Sequence, residues 1–424
     1  MSTRIHPMFV LLVGIGLLGA CKNDQHCPGN LNDDCRLGDA PTPCSSSAQC
    51  DDPTPACDTS TMTCVQCTPA EVGACTGATP VCRDTTCESC TRHLDCPASD
   101  VCLPDGSCVD PALDQVAYVT QGGSGTTCMK AMPCATLDAA VLTGKPYIKI
   151  AAGQVKDNKI TMISGRAVTV LADFGAKLDR DGDGPILDIH SANTDVRIFD
   201  LEITGATDPG GDAILLQPNG GSPMLTLTRV LVNGNQGRGI VGSGGSLVVA
   251  QSIFSSNAGG GIVMTASGII SITNSYIHHN GTPVMASVGG LSLRPTGTSK
   301  VEFNTIIDNQ ANLGAASSGG MFCDVAGFIA ANNIIFRNTG GAAGNVQTFG
   351  NCTYGNSFVM PGATPADNSL NFASPNAQPY DYHLTTTSPS SVVGAAGACT
   401  GIDFDGDARP ARGTCDLGAD ELAP

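Results

Sequence analysis

The sequence predicts an all-β protein in which a small disulfide-rich region precedes a parallel β-helix. The first observation is a motif containing asparagine that returns after 22, 23, 30 and 28 residues beyond residue 228, where about 22 residues is the length of one coil and the longer spacings are a coil plus an insertion. The second is composition, since 52 Gly, no Trp and 4% aromatic residues suit thin, repetitive β layers. The third is a run of fourteen cysteines from Cys27 to Cys108, which predicts a region held by disulfides.

The motif starts with a polar residue and ends six residues later with Asn or Gln. Its copies span 229–235, 251–257, 274–280, 304–310 and 332–338. One coil has no closed core and must stack on its neighbours, so equivalent residues form files with a spacing of about 4.8 Å. We therefore expect a ladder of hydrogen-bonded amides, formed by Asn235, Asn257, Asn280 and Asn338, with Gln310 or Asn309 at the fourth rung. The expected inward file is Val230 or Val232, Ile253, Ile277, Ile307 and Ile335.

Two of these coils contain insertions at the same corner. On each coil, a glycine followed by an apolar residue marks the start of the next strand after the ladder residue. On these two coils that pair comes about six residues later than on the others, which predicts longer loops at 281–288 and 311–318. Stacked loops beside a flat sheet would form the wall of a groove. Because both loops are uncharged and contain Ala, Ser, Met and Val, they suit a contact surface better than acid–base chemistry.

The N-terminus has the features of an export signal. Arg4 precedes an apolar run over 8–19 that is too short to span a bilayer comfortably. The run ends in Leu17-Leu18-Gly19-Ala20-Cys21, which resembles the lipobox of bacterial lipoproteins. The resemblance implies removal of residues 1–20 and lipidation of Cys21, with firm anchoring by several acyl chains. Lys22 in place of Asp favours the outer membrane or cell surface, and an ordinary signal peptide followed by Cys is the alternative.

The region 21–110 is expected to be a lipid-anchored, disulfide-rich stalk. Twelve of its cysteines form three units of four: Cys44, Cys50, Cys57, Cys64; Cys67, Cys75, Cys82, Cys87; and Cys90, Cys96, Cys102, Cys108. Cys27 and Cys35 are left as a pair. Such short units bury little apolar surface, so two disulfides in each would replace a core, and three connectivities stay open. Zinc is the alternative, because two C-x-x-C pairs are present, but each pair spans a unit boundary. The units resemble small Cys-rich repeats of bacterial surface lipoproteins.

Two further segments resemble known families. Pro133-Cys134-Ala135-Thr136-Leu137-Asp138-Ala139-Ala140 follows a glycine loop and resembles the first segment of right-handed β-helix proteins of the pectate-lyase-like superfamily. This implies a right-handed single-stranded parallel β-helix over 111–360 with a capping helix from Asp138 to Thr143. The motifs Asp381-Tyr382-His383-Leu384, Asp403-Phe404-Asp405-Gly406-Asp407 and Asp416-Leu417-Gly418-Ala419-Asp420-Glu421 resemble choice-of-anchor Q proteins. That resemblance implies a cap over 361–424 on a cell-surface β-helix, usually without an assigned reaction.

Six cysteines outside the stalk are disulfide candidates. They are Cys128, Cys134, Cys323, Cys352, Cys399 and Cys415. Cys128 and Cys134 are expected to close the glycine loop. Cys399 and Cys415 bracket the final motif and are expected to pair.

The net charge of −17 limits the partners of this chain. Nucleic acid and anionic membrane surfaces attract clustered Lys and Arg, which are lacking here. Calcium is the cation that such a surface could bind. Asp179, Asp181 and Asp183 are candidate ligands, although His190 at the twelfth position excludes an EF-hand and a solvated acidic turn is the alternative. Asp403, Asp405 and Asp407 form a similar candidate.

Catalytic residues are hard to assemble from this sequence. A polysaccharide lyase needs calcium-binding carboxylates beside a base, and a glycoside hydrolase needs paired acids. The candidates on the coils are Asp308, Arg337, Lys300, Arg294 and the pair His278-His279, whose side chains would face opposite sides of a strand. The sequence therefore favours a cell-envelope lipoprotein for adhesion, recognition or a structural role, bound to the membrane by its lipid and to polysaccharide or another surface protein. The alternative is a lyase or hydrolase acting beside the loops at 281–288 and 311–318.

Overall fold

The structure is a computed structural model that describes residues 43–422 except 158, 181, 183, 208–210 and 361–366. The predicted signal peptide, Cys21 and the pair Cys27 and Cys35 lie outside these residues. The chain divides into two compact units, Met1–Cys90 with Asp105–Ser107, and Thr91–Pro104 with Cys108–Pro424. No helix in the described ranges is long and apolar enough to cross a membrane.

The first unit consists of small hairpins joined by disulfides. Its strands are β1 (Ala56–Asp58), β2 (Thr63–Val65), β3 (Val81–Arg83) and β4 (Thr86–Glu88), and 3-10 turns span Ser47–Gln49 and Val72–Ala74. The disulfides are Cys44–Cys57, Cys50–Cys64, Cys67–Cys82 and Cys75–Cys87. In each group of four, the first cysteine pairs with the third and the second with the fourth. The zinc alternative is wrong for these sulfurs, because a disulfide sulfur is not a thiolate ligand.

The third cysteine group lies mostly in the second unit. Cys96 pairs with Cys108, again the second cysteine with the fourth, and Cys90 and Cys102 are disulfide-bonded too. Two 3-10 turns, His93–Asp95 and Pro111–Leu113, flank this group. In the same unit, Val101 and Val109 pack with Leu171 and Phe199 on the outside of the coils.

The second unit is a solenoid whose coils each supply one strand to three parallel sheets. Sheet 1 contains β5 (Val116–Val119), β6 (Tyr147–Ile150), β9 (Ala167–Ala172), β12 (Asp195–Phe199), β15 (Met224–Thr228), β18 (Ser246–Ala250), β21 (Ile270–Thr273), β24 (Lys300–Glu302), β27 (Ile329–Ala331) and β30 (Thr353–Gly355). Sheet 2 contains β7 (Gly153–Lys156), β10 (Ala176–Asp179), β13 (Glu202–Thr204), β16 (Leu231–Asn233), β19 (Ile253–Ser255), β22 (Tyr276–His278), β25 (Thr305–Ile307), β28 (Ile334–Phe336) and β31 (Phe358–Val359).

Sheet 3 completes each coil. It contains β8 (Thr161–Ser164), β11 (Leu187–His190), β14 (Ile214–Gln217), β17 (Arg238–Gly242), β20 (Gly260–Met264), β23 (Leu291–Leu293), β26 (Met321–Cys323) and β29 (Thr348–Gly350). Its eight strands mark eight complete coils in the described part of the chain. Parallel strands in register place equivalent residues in files, as the repeat predicted.

The inward file of sheet 2 is aliphatic apart from one ring. It consists of Val232, Phe254, Ile277, Ile306 and Ile335, each fully buried and in register with the next. The prediction that Ile253 and Ile307 point inward was wrong. Both lie one position away on the outer face, where Ile307 is buried against the C-terminal segment. Apolar side chains on both faces of such short strands conceal the alternation that would otherwise identify the inward residues.

The predicted asparagine ladder runs along the inside of the corner between sheets 2 and 3. Each Nδ2 donates to the Oδ1 of the next rung, from Asn235 through Asn257, Asn280 and Asn309 to Asn338, at 2.8–2.9 Å. The fourth rung, for which the sequence allowed Gln310 or Asn309, is Asn309. Successive rungs are 22, 23, 29 and 29 residues apart. Gln347 closes the ladder by accepting from Asn338 at 3.0 Å.

A second ladder lies at the corner between sheets 1 and 2. Its members are Ser252, Ser275, Asn304, Asn333 and Ser357, and each backbone N–H donates to the side chain of the next at 2.9–3.2 Å. The residue before each rung is a corner residue with positive φ, a conformation that Asn adopts at low cost. The motif positions 251, 274 and 332 are these corners, and position 229 is the equivalent corner of the preceding coil, with φ of 54°.

A helix covers the first coil of the stack, and the C-terminal segment covers the side of the last coils. Helix α1 (Leu137–Leu142) begins after the N-cap Thr136, whose side chain accepts from Ala139 N, and it buries Leu137, Ala140 and Val141. At the other end, residues 367–422 pack on the outer face of sheet 2 over its last coils and include a hairpin of β32 (Gly401–Ile402) and β33 (Ala408–Arg409). This C-terminal segment decides which part of the sheet is accessible.

The predicted wall is present and has three loops. The loop after Asn280 stacks on the loop after Asn309 through a bridge between Val288 and Ser318. A third loop after Asn338 continues the stack, since Gly341 N donates to Asn312 O at 2.9 Å.

Candidate functional site

The corner between sheets 2 and 3 superposes three ionisable side chains on consecutive coils. His279, Asp308 and Arg337 each stand one residue before a ladder asparagine and have φ of 54–57°. Arg337 is 1% exposed and binds Asp308 through two nitrogens, with Nε to Oδ1 at 2.8 Å. Two parallel hydrogen bonds from a buried arginine make this a strong ion pair that fixes the orientation of the Asp308 side chain.

The C-terminal segment completes this cluster. Tyr382 donates its hydroxyl to Asp308 Oδ2 at 2.7 Å, and the Tyr382 hydroxyl oxygen lies 3.3 Å from His279 Nδ1. The Tyr380 ring stacks on His279 with a centroid separation of 3.8 Å. Burial, helped by the charge of His279, lowers the pKa of His278 to about 3, and burial also lowers the pKa of His279. Both imidazoles are therefore neutral at pH 7.

Next to this cluster is a cavity of about 430 Å³, which we call the tyrosine pocket after Tyr276, Tyr380 and Tyr382. Phe404 and Ile253 add apolar surface, and Gln378, Asp381 and His383 supply polar groups. The protein has 6 Tyr, and three of them line this cavity. No Lys or Arg occurs among the described residues that line it. A mainly apolar cavity with a few convergent polar groups is typical of a ligand site.

One wall of the tyrosine pocket is acidic. His383 is held between Asp381, at 2.5 Å from Nδ1, and Asp405, at 2.9 Å from Nε2. Burial alone would lower the pKa of His383, but the Asp381 hydrogen bond and the charges of Asp420 and Asp405 together raise it. Burial raises the pKa of Asp420 to about 6. Burial, then the charges of Asp420 and Asp405, raise the pKa of Tyr276, so its hydroxyl stays protonated.

The groove proposed beside the extended loops is a smaller cavity of about 230 Å³. Its charged lining residues are Asp212 and Arg238, which bind each other at 2.8 and 2.9 Å. Two acids facing a common space, as a hydrolase requires, are not found among the described residues that line it. The wall itself exposes Val284 and Leu313, in keeping with a contact surface.

The predicted calcium ligands lie partly outside the described residues. Asp179 lies in β10 and accepts a hydrogen bond from Gln154, while Asp181 and Asp183 are not described. Asp403, from the second candidate, is fully buried, and its Oδ1 accepts the N–H groups of Asp405, Gly406 and Asp407 at 2.8–3.0 Å. This carboxylate shapes its own loop.

The cysteine candidates outside the stalk are joined as Cys128–Cys134, Cys323–Cys352 and Cys399–Cys415. The remaining charged candidates, Lys300 and Arg294, lie away from the tyrosine pocket, and Arg294 is 3.9 Å from Asp324. Sequence reasoning missed the pocket residues Tyr276, Tyr380, Tyr382 and His383. One signal was available for the corner cluster, because aligning the ladder asparagines places His279, Asp308 and Arg337 in one column.

Comparison with known proteins agrees with the solenoid. Residues 190–363 match the family model described as a right handed beta helix region. The second unit is a right-handed parallel β-helix. Residues 18–116 match a second family model, described as a family of unknown function (DUF8331).

Among solved structures, a crystal structure of pectate lyase Pel9A aligns with 72% of this chain and 96% of its own, at 13% identity and a TM-score of 0.43. No curated protein matches the chain.

Proposed function

We propose that this chain is a lipid-anchored surface protein that recognises a neutral saccharide in the tyrosine pocket without cleaving it. The observation that carries the proposal is the gathering of three tyrosines and Phe404 around one cavity in a protein with few aromatic residues. Sugar rings present C–H faces that pack on aromatic rings and hydroxyls that hydrogen-bond to carboxylates and amides. Asp381 and Gln378 offer such groups.

Charge supports a neutral ligand over an acidic one. Asp381, Asp405 and Asp420 surround the His383 wall, and the nearby guanidinium of Arg337 is neutralised by Asp308. A polyanion would meet repulsion here, because like charges at short range cost energy. Beside the extended loops, Asp212 is bound to Arg238 and has no second acid to act with among the described lining residues, which also favours recognition over polysaccharide cleavage.

The test is binding of the purified protein to an array of neutral and acidic oligosaccharides, followed by titration of the best ligand. Tyr380→Ala should weaken binding about fivefold, because stacking on one ring contributes on the order of 1 kcal/mol. Phe349→Ala is the matched control, since Phe349 is 39% exposed and stacks on Phe322 in sheet 3. Binding confined to acidic glycans, unchanged affinity of Tyr380→Ala, or release of unsaturated sugar ends would refute the proposal.

The anchor is tested separately. Lipidation of Cys21 would place the protein in the detergent-soluble membrane fraction and add acyl chains to the mass of its N-terminal peptide. Cys21→Ser should move the protein into the soluble fraction. An unmodified Cys21 in the mature wild-type protein would exclude the anchor and leave the saccharide proposal intact.

A further inference from the structure

Three metal-binding side chains converge on the acidic wall of the tyrosine pocket. An imidazole nitrogen of His383 and one carboxylate oxygen each of Asp405 and Asp420 lie within 4.8 Å of one another. We propose that these three residues bind a divalent transition-metal cation, with Zn²⁺ as the best fit. The inference does not rest on the saccharide proposal, because it concerns the wall alone.

The histidine is oriented as metal-binding histidines generally are. A ligating imidazole usually donates its second N–H to a carboxylate, which fixes the ring and its tautomer. Here Asp381 Oδ1 lies 2.5 Å from His383 Nδ1 and also accepts the backbone N–H of His383 at 3.0 Å. This arrangement turns Nε2 toward Asp405, whose Oδ2 is 2.9 Å away. Adjacent ligands at about 2.1 Å from a tetrahedral cation are about 3.4 Å apart, so a movement of about 0.5 Å would replace this hydrogen bond by two bonds to the ion.

The two carboxylates are positioned by backbone hydrogen bonds. Asp403 holds the loop that carries Asp405, and its Oδ2 accepts the N–H of Glu421 at 3.0 Å, which fixes the segment that carries Asp420. Asp420 Oδ2 accepts the N–H of Leu384 at 2.7 Å. That bond leaves the second oxygen of Asp420 for a cation. Asp405 is exposed, so an ion can reach the wall from solvent.

A second observation points to a ligand at this wall. Tyr276 is 4% exposed, and its hydroxyl has no hydrogen-bond partner within the described part of the chain. Its ring packs edge-on against His383 at 5.8 Å and against Phe404 at 4.7 Å, beside the carboxylates of the wall. A buried hydroxyl without a partner is unfavourable. A water molecule on the bound cation would donate a hydrogen bond to the hydroxyl oxygen and reduce that cost.

The ligand set selects the type of cation. Calcium takes six to eight oxygen ligands and avoids imidazole, whereas zinc binds imidazole nitrogen and carboxylate oxygen with four ligands. One His and two Asp leave one position for water, which the Tyr276 hydroxyl would contact. Metal availability and geometry decide between zinc and similar ions, so Mn²⁺ serves as a comparison.

The test is isothermal titration of the disulfide-bonded wild-type protein with ZnCl₂, MnCl₂ and CaCl₂, in the absence of saccharide. Asp405→Asn should lower the Zn²⁺ affinity at least tenfold. Asp407→Asn is the matched control, because Asp407 is exposed on the same loop and its side chain is not part of the three-residue cluster. It should bind Zn²⁺ within about twofold of wild type. Asp381→Asn should lower the affinity about 10–100-fold, because it removes the positioning carboxylate.

X-ray absorption of the zinc-loaded protein should show one imidazole nitrogen at about 2.0–2.1 Å together with oxygen ligands. Circular dichroism of the Asp405→Asn protein checks that it is folded. Equal Zn²⁺ affinity of the wild type and Asp405→Asn would overturn the proposal, as would sulfur ligands in the absorption spectrum. Calcium binding as tight as zinc binding at this wall would overturn the choice of metal.

Discussion

Replacing Asn280 with alanine tests whether the ladder holds the coils together. The Asn280 side chain is fully buried and makes four hydrogen bonds. Its Nδ2 donates to Asn309 Oδ1 at 2.9 Å and to Phe254 O at 2.8 Å, and its Oδ1 accepts from Asn257 Nδ2 at 2.9 Å and from Asn257 N at 3.2 Å. At about 1 kcal/mol for each bond, Asn280→Ala should lower the free energy of unfolding by about 4 kcal/mol.

The assay is urea denaturation followed by circular dichroism, with disulfides intact. Asn351→Ala is the matched control, because Asn351 is exposed and makes one side-chain bond, to Asp324 at 2.6 Å. Asn351→Ala should lower the free energy of unfolding by less than about 1 kcal/mol. Asn280→Asp keeps the shape but turns acceptors toward Asn309 Oδ1 and Phe254 O, so it should destabilise at least as much at pH 7. A loss below about 1 kcal/mol for Asn280→Ala would refute the ladder as a source of stability.

Three further predictions concern the corner cluster and the last coils. The pKa of His278 is about 3 in the folded chain and 6.5 in the unfolded one, so the free energy of unfolding falls as pH drops below 6.5, by about 2 kcal/mol between pH 7.5 and 5. Denaturation of His278→Asn at each pH should lack this dependence. Arg337→Met should cost about 3–5 kcal/mol, because it leaves Asp308 buried and unpaired, and a cycle with Asp308→Asn should show that the double variant loses less than the sum. Replacing Cys323 and Cys352 by alanine should cost about 3–4 kcal/mol in the same assay, since their bond closes 29 residues, and an unchanged midpoint would contradict this.

The coil architecture was predictable because it is periodic. A 22-residue spacing and an asparagine at a fixed position are visible in one sequence, and stacking converts them into a ladder without further information. The second ladder was not visible, because its rungs are a mixture of Ser and Asn and both residues are common in loops. The third loop of the wall was not predicted, because the ladder residue that follows Asn338 is Gln347 rather than a further asparagine of the repeated motif.

The site was less predictable because it depends on contacts that are distant in sequence. Tyr382 reaches Asp308 across 74 residues, and Asp405 reaches His383 from a separate loop of the C-terminal segment. Local patterns contain no information on where that segment docks. The faces of Ile253 and Ile307 were misassigned for the same reason, since a segment that covers the outer face makes apolar residues favourable on both sides of the strand.

The location of the tyrosine pocket follows from where the C-terminal segment stops. The interior of the coils is filled by buried apolar side chains, so a ligand site has to lie on an outer face. Along sheet 2, Tyr276, Ile307 and Phe336 are buried under the segment, whereas Ile253, one coil earlier, is only partly buried. The pocket lies at this boundary, where the sheet supplies one side and the segment supplies Tyr380, Asp381 and His383 on the other. A ligand there would contact both, and would therefore stabilise the docking of the segment by mass action.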